Sequence, residues 1–140
     1  MKDRTFGRAA VIGAFGLLAG VAFAADPQGT VTDRGYEITV TGADVTLNDA
    51  DVEQLLNSGS NRDFYKLGTG RLVIDRSLSG AGYTANVYVK EGILQGKAAY
   101  VLGKSDRTVT DLTVEEGARL EFDASVATVD TGNYFMPKNL

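Results

Sequence analysis

No cysteine and no histidine occur in the 140 residues. The first absence excludes disulfide staples, thiol nucleophiles and a lipid-modified cysteine anchor. The second excludes a Ser-His-Asp triad, and together they exclude zinc and other metal sites built on nitrogen or sulfur ligands. Proline is limited to two residues against 17 glycines, a composition shared by long extracellular β proteins. Basic charge is not in excess. Beyond residue 24 there are 11 basic and 17 acidic side chains, a net charge of −6. That argues against nucleic acid as a partner and leaves no polybasic patch for anionic lipid. No P-loop is present. Gly68-Thr69-Gly70 lacks the third glycine of a dinucleotide loop and precedes a strand pattern, not a helix.

The longest uncharged run lies at the start. Lys2, Arg4 and Arg8 are followed by an apolar stretch from Ala9 to Ala25 that closes on Ala22-Phe23-Ala24, and Asp26-Pro27 then breaks any helix. This is the layout of a secretory signal: a basic end, an apolar helix and small residues for the peptidase. A membrane anchor is the competing reading. The run is short for a span, and Gly13, Gly16 and Gly20 weaken a helix there. Cleavage is expected after Ala24. The expected organisation is a signal peptide over 1–24, a flexible lead-in over 25–35, a β domain over 36–125 and an irregular tail over 126–140. The expected location is the cell surface or medium, otherwise the periplasm, with no membrane span in the mature chain.

Alternation of apolar and polar residues marks strands along the mature part. Tyr36 to Val40 and Asp44 to Asn48 carry it first, with Thr41-Gly42 as the turn between them. Residues 49–57 differ. Acids open the segment, Val52, Leu55 and Leu56 are apolar, and Gly59 follows, which predicts a helix of about two turns. Asp51 with Gln54 fits a capping box, with Asn48 or Asp49 as alternative caps. From Phe64 the strand pattern dominates, broken by a flexible corner at Ser79-Gly80-Ala81-Gly82 and by glycine turns at Glu91-Gly92 and Glu116-Gly117. Tyr100-Val101-Leu102-Gly103 reads as a short strand and turn, and Thr108 to Glu115 as a strand.

Two pieces repeat in register. Val87 to Gly92 corresponds to Leu112 to Gly117 at an offset of 25, and Gly70-Arg71-Leu72 to Gly92-Ile93-Leu94 at an offset of 22. Periods of this size suit a solenoid, whose single coil cannot bury its own apolar face but whose stacked coils can. The expected fold is therefore all-β: a short right-handed parallel β-helix with one short N-terminal helix. A small antiparallel β-sandwich is the alternative, since its turns also use glycine, although Asn-Gly and Asp-Gly hairpin turns are absent. The helix is expected to cap the N-terminal end of the stack, and exposed end strands favour edge-to-edge self-association.

Three stretches resemble the passenger-associated repeat of bacterial autotransporters: Lys66 to Ile74 (K-x-G-x-G-x-L-x-L), Tyr83 to Leu94, and Val114 to Leu120 (V-x-x-G-A-x-L), with Leu102-Gly103 as the intervening Leu-Gly step. The resemblance covers about residues 64–122, with Asn86 where the family has glycine. It implies a parallel β-helix displayed outside the cell, with the repeat serving translocation and folding and not catalysis. No stretch after Phe122 carries the pattern of the family's translocator barrel, so a passenger segment without its translocator is expected. Its implied role is surface display or adhesion toward cell-surface or host-surface proteins or glycans. The alternative is a periplasmic or secreted sandwich that binds a partner.

No catalytic, cofactor-binding or metal-binding residue is assigned. Asp49-Ala50-Asp51-Val52-Glu53 starts like a calcium loop, but Gln54 and Ser60 occupy the positions that need Gly and Glu. Glu91 and Glu116 sit at equivalent corners and form the one acid pair with a glycosidase-like possibility, against the simpler reading of solvated turn acids. Tyr36, Tyr65, Tyr83, Tyr88 and Tyr100 offer either a stacking surface or strand packing.

Overall fold

The computed structural model describes residues 25–98, 100–102 and 111–123. The expected signal peptide over 1–24, the expected tail at 126–140, Gly103 and the start of the strand expected from Thr108 lie outside them.

The described residues form a mainly β protein. Its strands are β1 (Thr30–Val31), β2 (Tyr36–Thr39), β3 (Val45–Thr46), β4 (Phe64–Leu67), β5 (Arg71–Ile74), β6 (Val87–Val89), β7 (Ile93–Gly96), β8 (Leu112–Val114) and β9 (Arg119–Phe122). One sheet has the order β1-β2-β4-β6-β8 and the other β3-β5-β7-β9. From β2 onward the chain passes alternately between them. Strands adjacent in sequence therefore do not pair, and each instead lies parallel to the next strand of its own sheet. The single antiparallel pair among the described residues is β1 with β2.

Register follows the sequence repeat. Val87 lies opposite Leu112, and Arg71 and Leu72 lie opposite Ile93 and Leu94. Period-two alternation sends one side chain in two to the interior between the sheets. Tyr36, Phe64, Val87 and Leu112 form one inward row, and Leu72 and Leu94 face them from the other sheet, all essentially buried. Each such aliphatic side chain contributes about 1.5–3 kcal/mol on leaving water.

Sharp glycine corners join the strands of one sheet to those of the other. At Gly92 the backbone has φ +64°, and a Cβ there would lie 2.5 Å from the carbonyl oxygens of Gly68 and Gly70. Only glycine combines that dihedral with that approach. Gly70 occupies the equivalent place before β5, but in its corner Gly68 takes the positive φ.

Helix α1 (Asp49–Leu56) follows β3 as expected. Its cap is Asn48, whose side chain accepts from the Asp51 amide while the Asp51 carboxylate accepts from the Asn48 amide, both at 2.9 Å. The reciprocal pair therefore uses Asp51 as the responding residue and not as the cap. The helix stops at Asn57, which takes the left-handed conformation before Gly59 is reached. A second helix, α2 (Leu78–Ala81), replaces the flexible corner expected at 79–82. Ser77 caps it by accepting from the Gly80 amide at 2.9 Å, and Gly82 ends it. Tyr100-Val101-Leu102 is turn and bend, not strand. Val101 and Leu102 are nonetheless buried in the core, and the Tyr100 carbonyl accepts from Ser77 Oγ. Among the described residues no helix is long and apolar enough to cross a membrane.

The segment before β2 is bonded in place. The backbone N–H of Gln28 donates to Asp51 at 2.6 Å, and its side-chain amide donates to Asp51 and to the Thr46 carbonyl. Residues 30–31 then run as β1 along the outer edge of β2.

Candidate functional site

The outer face of the five-stranded sheet carries a continuous row of polar and aromatic side chains. Alternation turns Glu37, Tyr65, Tyr88 and Thr113 outward, and the parallel register stacks them in line. The rings of Tyr65 and Tyr88 lie 4.6 Å apart with an interplanar angle of 11°. The Arg34 guanidinium sits 5.1 Å from the centre of Tyr65, and the Lys90 ammonium 5.6 Å from that of Tyr88. Both cations are held by acids: Arg34 by Glu37 at 2.7 Å, and Lys90 by Glu115 on the neighbouring rung. Tyr65 is thus enclosed between Arg34, arriving from the β2 side, and Tyr88 on β6. Partial burial pushes its phenol upward in pKa, with Tyr88 and Asp63 adding to the effect. This face presents phenol groups, charged heads and the Thr113 hydroxyl.

The other tyrosines do different work. Tyr36 and Tyr83 are fully buried. The Tyr36 hydroxyl donates to Asp51 at 2.6 Å, and burial followed by that carboxylate pushes its pKa up. The Tyr83 hydroxyl lies 2.9 Å from both the Arg62 and the Asn86 carbonyl oxygens, and burial raises its pKa strongly. Asn86, the departure from the repeat, has a bonding role: its amide and side chain both donate to Asp63 on the preceding rung. Tyr100 stands apart at a residue with φ +56°.

Lys66 is the least expected feature. It is fully buried, on the inward row between Ile38 and Val89. Its ammonium donates to the carbonyls of Leu67, Gly68 and Glu91, so three donors meet three acceptors. Desolvation lowers its pKa, and Glu91 partly offsets that. Lys66 ties two successive corners together from inside. Strict alternation from Phe64 places it inward, which is the one sequence signal that could have found it.

The acids separate into structural and solvated groups. Asp51 is buried and accepts from Gln28, Tyr36 and Asn48, so both its oxygens are engaged. Asp49 pairs with Arg76. These contacts give Asp49 and Asp51 structural roles at the start of the helix. Glu91 and Glu116 are exposed at successive corners. Among the described residues no group of three or more acids, histidines or cysteines could hold a metal. In comparisons with known proteins, no family model, no curated protein and no solved structure matches the chain.

Proposed function

We propose that the chain is a non-catalytic exported β-solenoid, a passenger-like segment of the autotransporter type that serves surface display or adhesion. The observation that carries this reading is the parallel register. Residues one sequence repeat apart, such as Val87 and Leu112, lie side by side on neighbouring strands. The polar row Glu37-Tyr65-Tyr88-Thr113 on the outer face suits a protein or glycan partner recognised through hydrogen bonds. The basic start, apolar run and Ala22-Phe23-Ala24 site support export.

The test is expression of the full chain in a bacterium with two membranes, followed by fractionation and N-terminal sequencing. The reading predicts a chain that begins at Ala25 and lies beyond the inner membrane. An intact chain that keeps residues 1–24 in the cytoplasm would overturn it.

A further inference from the structure

Residues 28–31 lie on the outer edge of β2 in a way that only glycine permits. A Cβ on Gly29 would sit 2.6 Å from the Glu37 carbonyl oxygen and 2.7 Å from Ile38 Cγ1. The Gly29 amide donates to the Tyr36 hydroxyl at 2.9 Å. Gln28 clasps the strap to Asp51, and its side-chain amide also covers the Thr46 carbonyl at the edge of the second sheet. The strap is nevertheless slight. Its strand has two residues, both exposed, and pairs with Glu37 and Tyr36 only.

We propose that the strap is a removable guard on the N-terminal edge, and that opening it exposes β2 as a docking edge for a second copy of this chain. Strand edges with free backbone groups recruit further strands, and short or charged coverings are how proteins prevent it. Geometry favours a closed pair. β1 shows that the outer edge of β2 accepts an antiparallel partner, and two β2 strands meeting antiparallel generate a two-fold axis, which ends growth at a dimer. The axis must pass through a residue, so that inward side chains meet inward ones. Centred on Glu37, it would oppose two carboxylates. Centred on Ile38, it sets Ile38 against its own copy, Tyr36 against Val40, and Glu37 against Thr39 of the second copy.

Two variants of the mature chain open the strap by different means. Gly29→Val forces it off the edge, and Gln28→Ala removes the side-chain clasp. Far-ultraviolet circular dichroism checks the fold, and sedimentation equilibrium reads the mass. The unaltered mature chain is expected as a monomer, with the mass doubling in strap-opened chains that keep the β signal. Because the chain has no cysteine, mixing Glu37→Cys and Thr39→Cys chains in the strap-opened background should give a mixed disulfide dimer. If Gly29→Val fails to fold, Gln28→Ala decides. A folded strap variant that stays monomeric overturns the proposal, as does an unaltered chain that dimerises to the same extent.

Discussion

Lys66 shows how a single side chain can be read in two ways. As a letter in K-x-G-x-G it marks a repeat. In the fold it is a buried cation whose donors hold the corner carbonyls of Leu67, Gly68 and Glu91. Lys66→Met keeps the apolar stem and removes the donors, so it should cost about 1–3 kcal/mol through carbonyls left short of a partner. Urea unfolding checks this, and an unchanged midpoint would show that the corner does not need the ammonium. Tyrosine supplies a pH dependence. Unfolded tyrosines ionise near their ordinary value of 10.0, whereas Tyr36 and Tyr83 stay protonated in the fold because burial raises them. Above that pH the unfolded chain binds fewer protons than the native one, so stability falls as pH rises. The urea midpoint should be lower at about pH 11 than at about pH 8. Tyr83→Phe should lessen the drop. An equal drop in that variant would place the effect elsewhere. Composition could not separate buried Tyr36 and Tyr83 from outward Tyr65 and Tyr88. Alternation assigns three of them: Tyr36 begins the inward row of β2, while Tyr65 and Tyr88 fall on the opposite phase. Tyr83 lies outside a strand, and its burial depends on long-range contacts that no local pattern records.

At the scale of elements, corners and helices divide in how legible they are. The Glu91-Gly92 corner is visible in the sequence because the glycine interrupts a strand pattern. Its physical demand is severe, since φ is positive and the Gly68 and Gly70 carbonyls press on the missing Cβ. Gly92→Ala should therefore destabilise the protein by about 2–4 kcal/mol, through left-handed strain and steric contact together. Thermal or urea melting reads that loss, and an effect near zero would mean the corner can relax. Helix α1 is legible because its acids, apolar spacing and cap are local signals. Helix α2 is not. Four residues containing a glycine carry little propensity, and the helix stands because Ser77 caps it while Leu78 and Ser79 are buried. The strap is hidden for a similar reason. Gln28-Gly29-Thr30-Val31 looks like a polar lead-in until Asp51, 23 residues away, is seen to hold it.

For the whole molecule, the repeat offsets in the sequence and the pairings in the fold coincide: 87 with 112, 71 with 93. Parallel neighbours are distant in sequence, so only the repeat reveals them, and it is visible where the spacing between paired strands stays similar. The first rung is not, because α1 and its following turn lengthen the path from β2 to β4. The parallel pairing is also what the proposed function stands on, and it differs from an antiparallel sandwich in one sharp respect. Here β6 and β7 belong to different sheets although one short turn joins them. In an antiparallel sandwich such neighbours would pair as a hairpin. The most direct test is nuclear Overhauser spectroscopy on the chain from residue 25 onward. Stacked coils predict parallel-strand contacts between the backbones of Val87 and Leu112 and of Leu72 and Leu94. Close α-proton pairs between the 87–89 and 93–96 strands, without those long-range contacts, would contradict it.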